Sequence, residues 1–210
     1  MRLWAVLLVA VWVTRDGLAQ QIPIPERMVG TTNIVSEPTL SGGKLLGCGL
    51  TYRAVIRDWR YRQGDPSIVF GSFGLAKARA DTALGGFLKV VVQDLSMDGG
   101  RLVTTPNMPT SAYLLSMKGV ATADDRVGGG ASDQPGGLFT VFSLGGSFLD
   151  VMTQAIEAQK VSVMFARRAG GLDVPIELDL LVVDTNEQFQ RTRNPKEMLA
   201  FAECLPRLLP

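Results

Sequence analysis

Between Ser147 and Val183 the hydrophobic period changes from that of a helix to that of a strand, and no other stretch constrains the fold as strongly. Phe148, Val151, Met152, Ala155 and Ile156 fall at i, i+3, i+4, i+7 and i+8, one apolar stripe of a helix, with Asp150, Thr153, Gln154 and Glu157 turned to water. Ser147 is placed to cap the first turn, with Asp150 three residues on completing a box-like start. From Val161 the period becomes two: Val161, Val163 and Phe165 alternate with Ser162, Met164 and Ala166. After Gly170-Gly171, Val174, Ile176, Leu178, Leu180 and Val182 alternate again, so the pair reads as a β-hairpin. Pro175 cannot donate to a ladder and belongs on an edge or at a strand end. A helix and a hairpin with one apolar face each need a sheet to cover.

The chain upstream supplies that sheet. Gln20–Lys44, with Pro23, Pro25, Pro38 and Gly42-Gly43, reads as an extended arm holding one short strand around Asn33–Val35. Leu50–Arg62 fits either period, but its β-branched and aromatic content, followed by the turn Gly64-Asp65-Pro66, favours a strand with Ile68–Ala76 as its partner. Phe87–Leu95 is a strand turned by Asp98-Gly99-Gly100 into Arg101–Thr105, and Ala112–Val120 and Leu138–Leu144 follow as strands. Ala123–Gln134, with Gly128-Gly129-Gly130, reads as a loop. Asn194-Pro195-Lys196-Glu197 starts a final helix that presents Phe201, Cys204 and Leu205 on one face and stops before Pro206. The expectation is an α+β fold, a mostly antiparallel sheet or sandwich of about seven to nine strands with two helices late in the chain. No internal repeat is visible. The organisation expected is a signal peptide at 1–19, the arm at 20–46, and one α+β domain at 47–210.

Compartment is the second constraint. Arg2, the apolar run Leu3–Val13 and the small residues Gly17-Leu18-Ala19 have the order of a secretory signal peptide, so mature protein is expected to begin near Gln20. The run is shorter than the roughly 20 residues a bilayer-spanning helix needs, and no other apolar stretch is long enough, so no transmembrane segment is expected in the mature chain. There are two cysteines, Cys48 and Cys204, and in an oxidising compartment they are expected to form one disulfide. No Asn-x-Ser/Thr acceptor occurs, which with the leader favours a bacterial periplasmic or secreted protein. Leu45-Leu46-Gly47-Cys48 spells a lipoprotein-type motif but lies far from the leader's apolar run, so lipidation is not expected. A formal net charge of +1 provides no field to recruit nucleic acid.

The absence of histidine limits the chemistry most. Ser-His-Asp and Cys-His catalysis and imidazole metal sites are excluded, and two distant cysteines make no thiolate cluster, so neither metal nor cofactor is expected. Ser41-Gly42-Gly43-Lys44 matches S-x-x-K, but Gly-Gly and the lack of a Lys-Thr-Gly partner indicate a turn. Asp94, Ser96 and Asp98 with Gly99 have the spacing of half an EF-hand loop, although Thr105 stands where that loop needs Glu. A carboxylate-dependent hydrolase acting on envelope glycan would need a pair from Asp58, Asp65, Asp94, Glu177 and Asp179. Glu177 and Asp179 share one strand face, expected to be solvated.

The best ligand site is the Leu50 segment: as a strand, it would place Arg53, Val55, Arg57, Trp59 and Tyr61 on one face. Cations beside aromatics suit stacking and charge-assisted hydrogen bonding. The expected function is therefore an exported, non-catalytic protein of the cell envelope, a binding module or structural/interaction protein with Arg53, Arg57, Trp59 and Tyr61 as ligand residues and an envelope polysaccharide or another envelope protein as partner.

Overall fold

The computed structural model describes residues 28–77, 83–186 and 190–208; the expected signal peptide and the first part of the arm lie outside them. The chain is mostly antiparallel sheet with two helices. In chain order the elements are β1 (Thr32–Ser41), β2 (Lys44–Asp58), β3 (Asp65–Lys77), β4 (Leu84–Asp98), β5 (Arg101–Pro106), β6 (Ser111–Leu115), β7 (Arg126–Ala131), β8 (Gly137–Phe142), helix α1 (Ser147–Ala158), β9 (Lys160–Ala166), β10 (Val174–Asp179), β11 (Val182–Thr185), β12 (Arg191–Arg193) and helix α2 (Lys196–Leu208).

β1 to β4 form a meander that β8 and β7 continue, giving the order β1-β2-β3-β4-β8-β7. β4 is long enough to have two partners on one edge, β8 against Gly86–Val91 and β5 against Gln93–Asp98. β10, β9 and β6 make a second, three-stranded sheet, and β11 pairs with β12. Alternation decides which side chains meet between the sheets. Leu50, Tyr52, Phe73, Leu88 and Val90 from the main sheet share one core with Leu114, Val161, Val163 and Phe165 from the smaller one. The layers make a sandwich-like body. Helix α1 packs on β9 and β6, with Phe148 stacked on Phe142 at 5.5 Å and lying under Gly86. Helix α2 packs on β1 and β2, where Cys204 is bonded to Cys48 with Cα atoms 5.8 Å apart. The expected disulfide is present.

Several elements differ from the sequence expectation for local reasons. The segment expected to be an arm with a short strand contributes all of β1 and, from Lys44, the start of β2. Its apolar signal is weak because one face of β1 stays in water and only Ile34 is fully buried. The strand expected to run to Arg62 stops at Asp58, whose backbone carbonyl accepts from the amides of Arg62 and Gly64 to close a turn. The strand expected over Ala112–Val120 ends at Leu115, and Ser116–Val120 is a tight turn. Ala123–Gln134, expected as a loop, contains a 3-10 turn and the strand β7, a glycine strand paired to β8. Ser147 makes no cap bond; the Phe148 amide is capped instead by Asp125 Oδ2 at 2.7 Å. The run Val174–Val183 is broken at Leu180, whose amide bonds Gln159 O, so its two halves join different sheets. Helix α2 begins as expected, with Asn194 Oδ1 accepting the Lys196 amide, but runs through Pro206 to Leu208. Pro175 lies on the edge strand β10.

Candidate binding site

Two hairpin ends meet at the end of the body where β2 turns into β3. Asp58 is the last residue of β2 and is fully buried. Its Oδ1 accepts from the backbone amides of Arg60 (3.0 Å) and Tyr61 (2.9 Å). Its Oδ2 accepts from Arg167 Nε at 2.6 Å. Arg167 directly follows β9, so this bond ties the main sheet to the smaller one.

The rest of the guanidinium is equally occupied. Nη1 and Nη2 donate to Asp94 Oδ2 (3.1 Å) and Oδ1 (2.8 Å), a two-pronged pairing, and Nη2 also reaches Ser67 Oγ at 3.0 Å. Ser67 donates to Asp94, as does Asn107 Nδ2. Arg62 adds a second cation 3.5 Å from Asp94 and donates to the carbonyls of Pro66 and Leu95. Burial alone would raise the Asp94 carboxyl. The hydrogen bonds from Arg167, Asn107 and Ser67, with the Arg167 charge, outweigh it and hold the group below its ordinary value. With the Arg167 side chain only 4 % exposed, this is a closed, fully hydrogen-bonded charge cluster.

The cluster presents a loop. Pinned through Asp58, residues 59–64 hold the Trp59 side chain 70 % exposed. The ring packs against Gly64, where a Cβ would sit 2.6 Å from its atoms. Gly64 also has φ +94°, so both space and backbone require glycine there. Arg57 braces the same loop by donating to Gly64 O. Tyr61 turns the other way: its hydroxyl donates to Leu172 O at 2.5 Å, and Arg168 stacks over its ring at 5.9 Å. The β9–β10 connection thus joins the β2–β3 turn at one tip, with Leu172 64 % exposed.

Of the four expected ligand residues, Arg57, Trp59 and Tyr61 gather at this tip. Only Arg57 is on the strand, because β2 ends at Asp58. Arg53 lies farther along β2, over the Phe70 ring at 5.8 Å, beside a separate polar cleft of about 160 Å³ formed with Asn33, Asp184 and Thr185. Among the candidate acids, Asp58 and Asp94 converge on Arg167. Asp65 is on the surface near Arg62, and Glu177 and Asp179 are toward the opposite end of the β9–β10 hairpin, paired with Lys160 and Arg193. Asp98-Gly99-Gly100-Arg101 is a hairpin turn, and no metal-holding cluster of three occurs among the described residues. Ser41–Lys44 is the β1–β2 turn, and Cys48, being disulfide-bonded, carries no lipid. Arg167, Ser67 and Asn107 are not legible as a cluster from their spacing. The available signal was an arginine pair following an apolar strand, with Asp58 closing another and Asp94 near the end of the apolar run of a third. Among the described residues no helix is long and apolar enough to cross a membrane.

The chain matches no family model, and no curated protein or solved structure proved similar to it.

Proposed function

We propose that this chain is an exported, non-catalytic binding module of a bacterial cell envelope, acting through the tip built around Trp59. The observation that carries the reading is a large aromatic ring left in water on a loop that is not loose. Five bonds to Asp58, from the amides of residues 60, 61, 62 and 64 and from Arg167, fix the loop before any partner arrives. A preorganised exposed tryptophan flanked by arginine is the composition of an interface hot spot. The non-catalytic part is supported by the state of the acids. The two carboxylates that converge share Arg167, Asp94 has Arg62 as a second cation, and both are met by further donors, so they are engaged within the protein and not offered to a substrate. Export is supported by the Leu3–Val13 run and by the single disulfide.

The test is retention of the protein on an isolated envelope fraction from its native host. Trp59→Ala should lose retention per folded molecule, while mass spectrometry of the native protein should find its terminus near Gln20. Retention undiminished in Trp59→Ala overturns the assignment of the tip, and a native protein still carrying Met1 overturns export.

A further inference from the structure

We infer that the tip docks on the surface of an anionic lipid bilayer, with Trp59 and Leu172 entering the interface; this rests on the binding-module reading and names the ligand of the same site. The tip is wider than the Trp59 loop. The β2–β3 ladder closes at Asp58 and Asp65, and β4 reaches that level at Asp94, opposite Ser67. β4 then continues to Asp98 with β5 as its only strand partner, so the β4–β5 hairpin projects past the body at the same end. Arg62 Nη2 binds the loop to the root of this hairpin through Leu95 O. Met97 and Leu102 stand opposite each other on the hairpin, and both are exposed.

Apolar side chains therefore cap one end, on three loops held together by hydrogen bonds. Arg57, Arg60, Arg101 and Arg168 stand on or beside the same three loops, all exposed, against the exposed carboxylates Asp65 and Asp98 and the partly buried Asp173. The carboxylates just beneath, Asp58 and Asp94, are balanced by two cations, Arg167 between them and Arg62 beside Asp94. In a chain of net charge +1, this is a local cationic excess around protruding apolar groups. Tryptophan prefers the headgroup level of a bilayer, and arginine is drawn to anionic lipid there. A polysaccharide would use the ring and the arginines but would leave Leu172, Met97 and Leu102 without a role.

Cosedimentation with vesicles tests this, comparing pure phosphatidylcholine with equal parts phosphatidylcholine and phosphatidylglycerol. Wild-type protein should sediment with the anionic vesicles and not the zwitterionic ones, and less as salt rises. Arg60→Gln should weaken the partition about fivefold, and the double variant Trp59→Ala/Leu172→Ser at least about tenfold. Val127→Ser, which removes an equally exposed apolar side chain on β7, should change nothing. Subtracting the emission of Trp59→Phe isolates Trp59 from Trp4 and Trp12 in the full chain. That difference spectrum should shift to the blue on anionic vesicles alone. Vesicle binding unchanged in the double variant overturns the inference. So does binding to soluble polygalacturonate with none to vesicles, which would leave the binding-module reading standing. A concentration-dependent dimer abolished by the same variants overturns it as well, by assigning the tip to a second copy. Failure of every ligand, with retention on the envelope fraction also independent of Trp59, overturns both readings.

Discussion

Replacing Arg167 by Met removes the charge at the centre of the tip while keeping most of the side-chain volume. Removing one partner of a buried ion pair typically costs about 3–5 kcal/mol, because the charge left behind has no compensation. The structure places Arg167→Met near the lower figure. Asp94 keeps Asn107, Ser67 and the Arg62 cation, and Asp58 keeps two backbone amides, so neither carboxylate is wholly abandoned. A loss of about 3 kcal/mol corresponds to a melting temperature about 6–12 °C lower for a domain of this size. The pH dependence gives the argument its sign. In the wild type the Asp94 carboxyl lies below its unfolded value, so its contribution is present above ordinary carboxylate pH and disappears as pH falls through the folded value. In the variant the Arg167 bonds and charge are gone and burial remains, which pushes the same carboxyl up. With Asn107, Ser67 and Arg62 still lowering that carboxyl, the folded variant has less of the Asp94 contribution to lose than the wild type has as pH falls. Urea melts of both proteins between neutral pH and about pH 4 should therefore show a gap that narrows on acidification. A gap below about 1 kcal/mol at neutral pH, or two parallel curves, refutes the claim that this cluster is a closed charge network.

Trp59→Ala should leave stability within about 1 kcal/mol of wild type, since the ring is mostly in water; thermal melts showing the about 3–5 kcal/mol typical of a core tryptophan would refute that placement. Replacing Cys48 and Cys204 together by Ala opens a closed span of 156 residues and should lower stability by about 4–5 kcal/mol in denaturant melts. Gly71→Ala should be among the most damaging small substitutions, by about 3 kcal/mol or more in the same melts, because the added methyl would overlap the Lys89 carbonyl and crowd the Tyr52 hydroxyl that bonds to it.

What the sequence disclosed depended on whether a residue's neighbours were close in the chain. Helix α1 and the strands β3, β4, β8, β9 and β10 carry their burial pattern in their own alternation, and that is where local reading succeeded. β7 carries none: Gly128-Gly129-Gly130 is held extended by β8, not by any preference of its own. The cap of α1 comes from Asp125, 23 residues upstream. At the site, the composition of the Arg57–Tyr61 segment was legible. The end of β2 at Asp58 was not: the turn closes on the carbonyl and carboxylate of Asp58, and that carboxylate is also held by an arginine 109 positions away in sequence. Where tertiary partners decide a boundary, a periodic pattern continues on paper past the point where the strand stops.

The cover of the first hairpin has a consequence for the order of assembly. Thr32 meets Thr185, the Ser36 amide meets Glu197, and Cys48 meets Cys204, contacts separated by 153, 161 and 156 residues. Closing such spans costs chain entropy before the contacts return anything, so the search for them is slow. Until α2 arrives, β1 and β2 can form a ribbon whose inner face, with Leu50, Tyr52 and Ala54, is open to any other chain. The C-terminal helix thus acts as a clasp that shuts late, and the reduced protein passes through a window in which its earliest hairpin is sticky. A denatured chain with Cys48 and Cys204 still joined has one of these long closures already made; it should refold faster and aggregate less than the same chain reduced.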